Sequence, residues 1–179
     1  MLRRKNRYSC GFFFYFWSVK SRRIEIKWAL IFTGMGLLWM ALERAFGLHD
    51  SHIDLHPYLT NLIAIPAILV YVFFLREKRD IYYKGEITYK QSFISGLIMT
   101  LFVTILVPFN QWITLDYITP HFFENVIKYS VDNELMTLKD AKAYFNFQNY
   151  LIQSVVFAPV LGVITTAIVS RFIKAKKSN

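Results

Sequence analysis

Residues 149–172 read NYLIQSVVFAPVLGVITTAIVSRF, an apolar run with a small residue at every fourth position: Ser154, Ala158, Gly162, Thr166 and Ser170. Residues four apart share one helix face, so these five form a groove along which other backbones can approach closely. About 20 apolar residues span a bilayer, and this run is long enough. It reads as the membrane helix against which the other segments pack.

Three more apolar runs precede it, at about residues 26–48, 58–75 and 92–113. With 55% hydrophobic residues in 179, the chain reads as all-α: an integral membrane four-helix bundle forming one domain over residues 24–179. Gly34 and Gly36 permit close contact in the first span. There Trp28 suits the membrane interface and Trp39, deeper, suits packing. Pro66 should kink the second span, Pro108 the third and Pro159 the fourth. Thr88 followed by Gln91 has the spacing of a capping box that opens the third span.

Residues 114–148 are the one long polar excursion. Thr119-Pro120 reads as a helix start, with Phe122, Phe123, Val126 and Ile127 on one face and Glu124 paired with Lys128 on the other. Thr137 and Asp140 give a second capping signal. From Leu138 the helical pattern can continue directly into the last span. The excursion therefore reads as an amphipathic hairpin on the membrane surface, too short for a core of its own.

Residues 1–23 combine Arg3, Arg4, Lys5 and Arg7 with the aromatic run Gly11–Trp17. That run is too short for a signal peptide, and no small-x-small cleavage site follows it. It suits an interfacial anchor; a later translation start is the alternative. Cys10 is the sole cysteine, so no disulfide forms within the chain.

Of 21 Lys and Arg residues, 17 fall in the N-terminal segment through Lys27, the 76–90 loop and the tail from Arg171. Arg44, Lys128, Lys139 and Lys142 remain for the other side, which carries 8 of the 12 acidic residues. The positive-inside rule then puts both termini in the cytoplasm of a bacterium, with the hairpin in the periplasm. It also accounts for the net charge of +9 without nucleic acid, as flanks of membrane helices held against anionic lipid headgroups.

The loop into the third span runs Gly85-Glu-Ile-Thr-Tyr-Lys-Gln-Ser-Phe-Ile-Ser-Gly96. With Thr88 and Phe93 between its two glycines, it resembles the signature of a four-helix inner-membrane family of Bacteroidota, domain of unknown function 4199. Thr119-Pro120-x-Phe-Phe-Glu and the order of long and short connections are similar too. The resemblance covers roughly residues 24–174 and implies the topology but no mechanism. Gly85 is then a turn residue before the Thr88 cap, and Gly96 a point of close packing.

Three constellations bear on function. Glu43, with Arg44 beside it, Asn61, Asn110, Gln111 and Gln153 all fall within roughly 5–8 Å of the same outer boundary at 1.5 Å rise per residue. They would form a polar pocket open to the periplasm, or simply bond between helices near the headgroups, with Glu43 paired to Arg44. His49, His52 and His56 share a face if helical and would bind a metal, with His121 as a fourth ligand. The hairpin aromatics over 120–148 would dock a membrane or periplasmic protein, or else cap the bundle. No nucleophile elbow, zinc-protease motif or phosphate loop is present, so no catalytic residue and no cofactor is assigned. The expected function is that of a non-enzymatic accessory or assembly protein, acting through the small-residue groove or the hairpin. The alternative is a small transporter or channel subunit that forms a homo-oligomer and uses the Glu43 layer.

Overall fold

The computed structural model describes residues 22–173; the anchor reading of the leader, Cys10 and most of the basic tail lie outside the described residues. Within them the chain is all-α. Four long apolar helices, α1 (Arg23–Ala45), α2 (His56–Tyr82), α3 (Tyr89–Ile118) and α6 (Phe147–Phe172), are each long enough to cross a membrane. Two short helices, α4 (Phe122–Asp132) and α5 (Leu138–Tyr144), form the hairpin between α3 and α6. One end of the bundle carries the hairpin and the 46–55 turn; the other carries the 76–90 loop.

The outside of the bundle is apolar and its inside holds small polar groups, the arrangement lipid favours. Leu38, Leu62, Ile65, Leu101, Ile105, Val156 and Ile168 are exposed, while Ser92, Ser95, Thr100, Thr166 and Ser170 are buried. Where water cannot reach, hydroxyls must find partners within the protein. The Ser92 hydroxyl donates to that of Ser170 at 3.0 Å, and the Tyr71 and Thr100 hydroxyls lie 2.8 Å apart. Thr100 also donates to the Gly96 carbonyl at 2.9 Å.

The helix around which the others gather is α3 rather than α6: it packs most extensively against both α6 and α1. The periodic small residues of α6 do form a seam, and α3 fills it. Gly96 lies against the Thr166 side chain, and Gly162 against Thr100 and the Tyr71 hydroxyl. Ser154 accepts a hydrogen bond from Gln111 Nε2 at 2.5 Å, and Ala158 is half-buried. Small residues on both partners, Gly96 as well as Gly162, produce the close approach. From Gly162 to Ser170 the groove is thus filled within the chain.

Local signals set the helix ends. Thr88 accepts from the Gln91 N–H at 3.3 Å while the Gln91 side chain accepts from the Thr88 N–H at 2.9 Å, completing the capping box. Gly85, at φ +94°, makes the turn before it. Pro66 acts one turn earlier than a simple kink: α2 tightens to a 3-10 turn over Thr60–Ile63, because proline has no N–H for the carbonyl four residues back. The π turn Thr114–Ile118 ends α3 past Pro108.

Three details of the hairpin differ from the sequence reading. Helix α4 starts at Phe122 behind an N-terminal His121, leaving Pro120 in the preceding turn. Glu124 pairs with His121 at 3.1 Å, one turn back. The hairpin does not run on into α6: Asn146 breaks the chain in extended conformation and caps the Asn149 N–H at 3.0 Å. An Asn competing for its own backbone favours such a break over a continuous helix.

Candidate functional site: a polar cavity and a glutamate–histidine cluster at the hairpin end

The site begins with how α1 stops. Gly47, at φ +74°, follows the helix end, its N–H bonding the Arg44 carbonyl at 2.9 Å and the Leu48 N–H bonding the Glu43 carbonyl at 2.9 Å. This paired reversal needs a left-handed residue, which glycine supplies without strain. It turns the chain so that His49 meets the side chain of Glu43 at 3.1 Å, Nε2 to Oε2. His56, opening α2, brings its Nε2 to 3.6 Å from the same oxygen. Trp39, one turn before Glu43, donates its indole N–H to the other carboxylate oxygen at 2.5 Å.

Glu43 and His49 are 2% and 3% exposed, whereas His56 is part-exposed and lines the neighbouring cavity. Phe122 of α4 roofs it, its ring 5.3 Å from both imidazoles. Phe122 is itself held by Tyr150, which also contacts Phe123 and Phe145. Asn125 donates to the His49 carbonyl at 2.9 Å, tying α4 to the turn. The hairpin aromatics thus cover the Glu43–His49 cluster at this end of the bundle.

Beneath this roof lies a cavity of about 440 Å³ between the four long helices. Its polar lining comes from His56, Thr60, Asn110, Gln111, Thr114, Gln153 and Ser154. The Asn110 carbonyl oxygen is buried there without a hydrogen-bond partner, beside Gly36, whose missing side chain leaves room for the amide. A buried amide oxygen left unbonded costs roughly 1–3 kcal/mol.

The sequence-derived residues divide as follows. Asn110, Gln111 and Gln153 line the cavity, and Glu43 stands behind it through His56. Asn61 does not belong: it is exposed and turns back to the Pro57 carbonyl at 2.7 Å, as its position on the outer face of α2 dictates. Arg44 does not pair with Glu43. The two are successive helix residues facing different ways, and the guanidinium donates to the Ile118 carbonyl instead. His52 is not part of the histidine cluster; the turn after Gly47 points it outward, with Nδ1 3.1 Å from the Ser51 hydroxyl. His121 is exposed beside Glu124.

A second charged centre, at the loop end, escaped the sequence reading. Lys78 Nζ lies 2.8 Å from Glu25 Oε1, the two side chains 1% and 0% exposed. Lys27 and the Trp28 indole both donate to Glu77, at 2.5 and 2.9 Å. The sequence reading takes the charged residues among them only as flanks of the membrane helices and Trp28 as an interface residue. The available signal was topological: spans one and two bring residues 25–28 and 77–78 to the same end, with opposite charges.

The profile of the family described as "Protein of unknown function (DUF4199)" matches residues 27–175, which include the Gly85–Gly96 signature, the four long helices except the first turn of α1, and every cavity residue. No curated protein and no solved structure matches the chain. The matched region covers most of the 179 residues, and the chain belongs to the DUF4199 family.

Proposed function

We propose that this protein is a non-enzymatic solute-binding protein of the bacterial inner membrane, with cytoplasmic termini and a cavity that takes a small polar molecule from the periplasmic side. The orientation is inferred from the positive-inside rule, since 17 of the 21 basic residues fall in the N-terminal segment, the 76–90 loop and the C-terminal tail of the sequence. One observation carries the binding reading: a space of about 440 Å³ between the long helices whose wall includes the side chains of Asn110, Gln111 and Gln153. Its size suits a small-molecule site, typically ~300–1,000 Å³ with a few converging polar groups.

This reading is favoured over docking through the hairpin aromatics because Phe122 is buried and Phe123 packs on Tyr150. It is favoured over a channel because the seam of Gly96, Thr100, Gly162 and Thr166 is tightly packed towards the loop end.

Native mass spectrometry of the full chain released from membranes tests it. A small non-lipid molecule should accompany the wild type and be lost from Asn110→Leu and Gln153→Leu, while Asn61→Leu retains it. Only lipid and detergent adducts on every variant would contradict the reading.

A further inference from the structure

We propose that Glu43, His49 and His56 form a binding site for a divalent transition-metal ion of the zinc type. The inference stands on these three side chains and does not require the cavity to hold a solute. One ligand atom from each residue lies within 4.8 Å of the others. Two imidazole nitrogens approach the same carboxylate oxygen, at 3.1 and 3.6 Å. Bonds of about 2.0–2.1 Å to a tetrahedral zinc place neighbouring ligand atoms about 3.3 Å apart. The separations bracket that edge, so small side-chain shifts suffice to admit the ion.

Ligand chemistry narrows the class. Two neutral imidazoles and one carboxylate suit a borderline transition ion, whereas magnesium and calcium require mainly oxygen ligands. Three protein ligands leave a tetrahedral ion one position for water or a solute. His56 lines the 440 Å³ cavity, which gives the ion a polar route of access. Support for the carboxylate is also in place. The Trp39 indole fixes the second Glu43 oxygen, whereas the other ring nitrogen of His49 is buried without a hydrogen-bond partner. The Phe122 ring packs against both imidazoles.

The test uses the full chain in mild detergent, stripped with a chelator and titrated with zinc chloride or cobalt chloride. The expected result is one-to-one zinc binding, and a tetrahedral cobalt spectrum that zinc abolishes. His49→Ala and His56→Ala should each weaken zinc by more than ~100-fold, since even changes beside the ligands cost ~10–100-fold. His52→Ala and His121→Ala should bind as wild type. The cobalt spectrum is read on the wild-type chain, so it remains decisive if a ligand variant misfolds. Failure of the folded wild type to take up zinc stoichiometrically, or an equal loss in His52→Ala, would overturn the proposal.

Discussion

Glu43 and His49 meet across the turn at Gly47, with His49 Nε2 3.1 Å from Glu43 Oε2. Glu43 joins the end of α1 to this turn twice: its backbone carbonyl accepts from Leu48 and its side chain meets His49. The geometry of the helix end therefore sets the geometry of the cluster. A change in the turn should disturb the cluster even where no ligand atom is altered.

Gly47→Ala tests that coupling. At φ +74° an added Cβ would meet His52 Nδ1 at 2.9 Å and Asp50 Oδ1 at 3.1 Å, and the left-handed conformation alone costs an L residue about 1–2 kcal/mol. Thermal unfolding in detergent should show a clear loss of stability. The same variant should weaken zinc uptake although Glu43, His49 and His56 remain.

The seam between α3 and α6 makes a graded prediction. Gly96→Ala puts a methyl group into the Thr166 side chain and should destabilise by about 1–3 kcal/mol through overpacking. Gly34→Ala meets nothing within 4 Å and should be neutral or stabilise α1 by up to about 1 kcal/mol. Unfolding titrations of the two variants should separate them. Equal effects would mean that the seam is looser than described.

The buried Glu25–Lys78 pair should be costly to break and inexpensive to replace. Glu25→Gln removes the carboxylate that both Lys78 and Arg22 face, at 2.8 and 3.4 Å, and losing one member of a buried pair costs up to about 3–5 kcal/mol. The double variant Glu25→Leu with Lys78→Met should recover much of that loss, because it removes both charges together. A double-mutant cycle on unfolding free energies measures the difference.

Asp50 gives a pH signature in the 46–55 turn. The Ser51 backbone N–H and hydroxyl beside it hold its carboxyl below the ordinary value of 3.8. A depressed carboxyl contributes stability that is present above its unfolded pKa and lost as pH falls through its folded pKa. The melting-temperature difference between wild type and Asp50→Asn should stay constant from neutral pH down to about the ordinary carboxylate pKa of ~3.9 and shrink below it. A difference that shrinks already between neutral pH and 5 would assign the effect to another group.

Much of the fold was legible because each signal was local. Four apolar runs gave four long helices, the Thr88 and Gln91 spacing gave a capping box, and Gly85 gave its turn. The centre of the bundle was harder to read. A stripe of small residues on α6 says that something comes close, but Gly96 and Thr100 on α3 decide what does. The candidate site was half legible for the same reason. Depth along the helices placed Asn110, Gln111 and Gln153 together, yet depth does not specify the face, and Asn61 fell on the outer one. Helical spacing grouped His49, His52 and His56, whereas the reversal at Gly47 removes His52 and substitutes Glu43. The ion pairs of Glu25 and Glu77 join residues some 50 positions apart, and no short-range pattern encodes them.

The central claim is the proposal that the cavity receives its solute from the hairpin side, taken as periplasmic, with the packed seam of α3 and α6 barring the other side. The most direct measurement is thiol labelling in intact spheroplasts with a charged, membrane-impermeant reagent, on a Cys10→Ser background. Ser154→Cys places the thiol in the cavity lining, Asn133→Cys in the exposed hairpin turn, and Thr166→Cys in the buried seam of the same helix as Ser154. The account predicts labelling at positions 133 and 154 without permeabilisation, and none at 166. Protection of position 154 while 133 reacts, or labelling of 154 only after the membrane is opened, would contradict it.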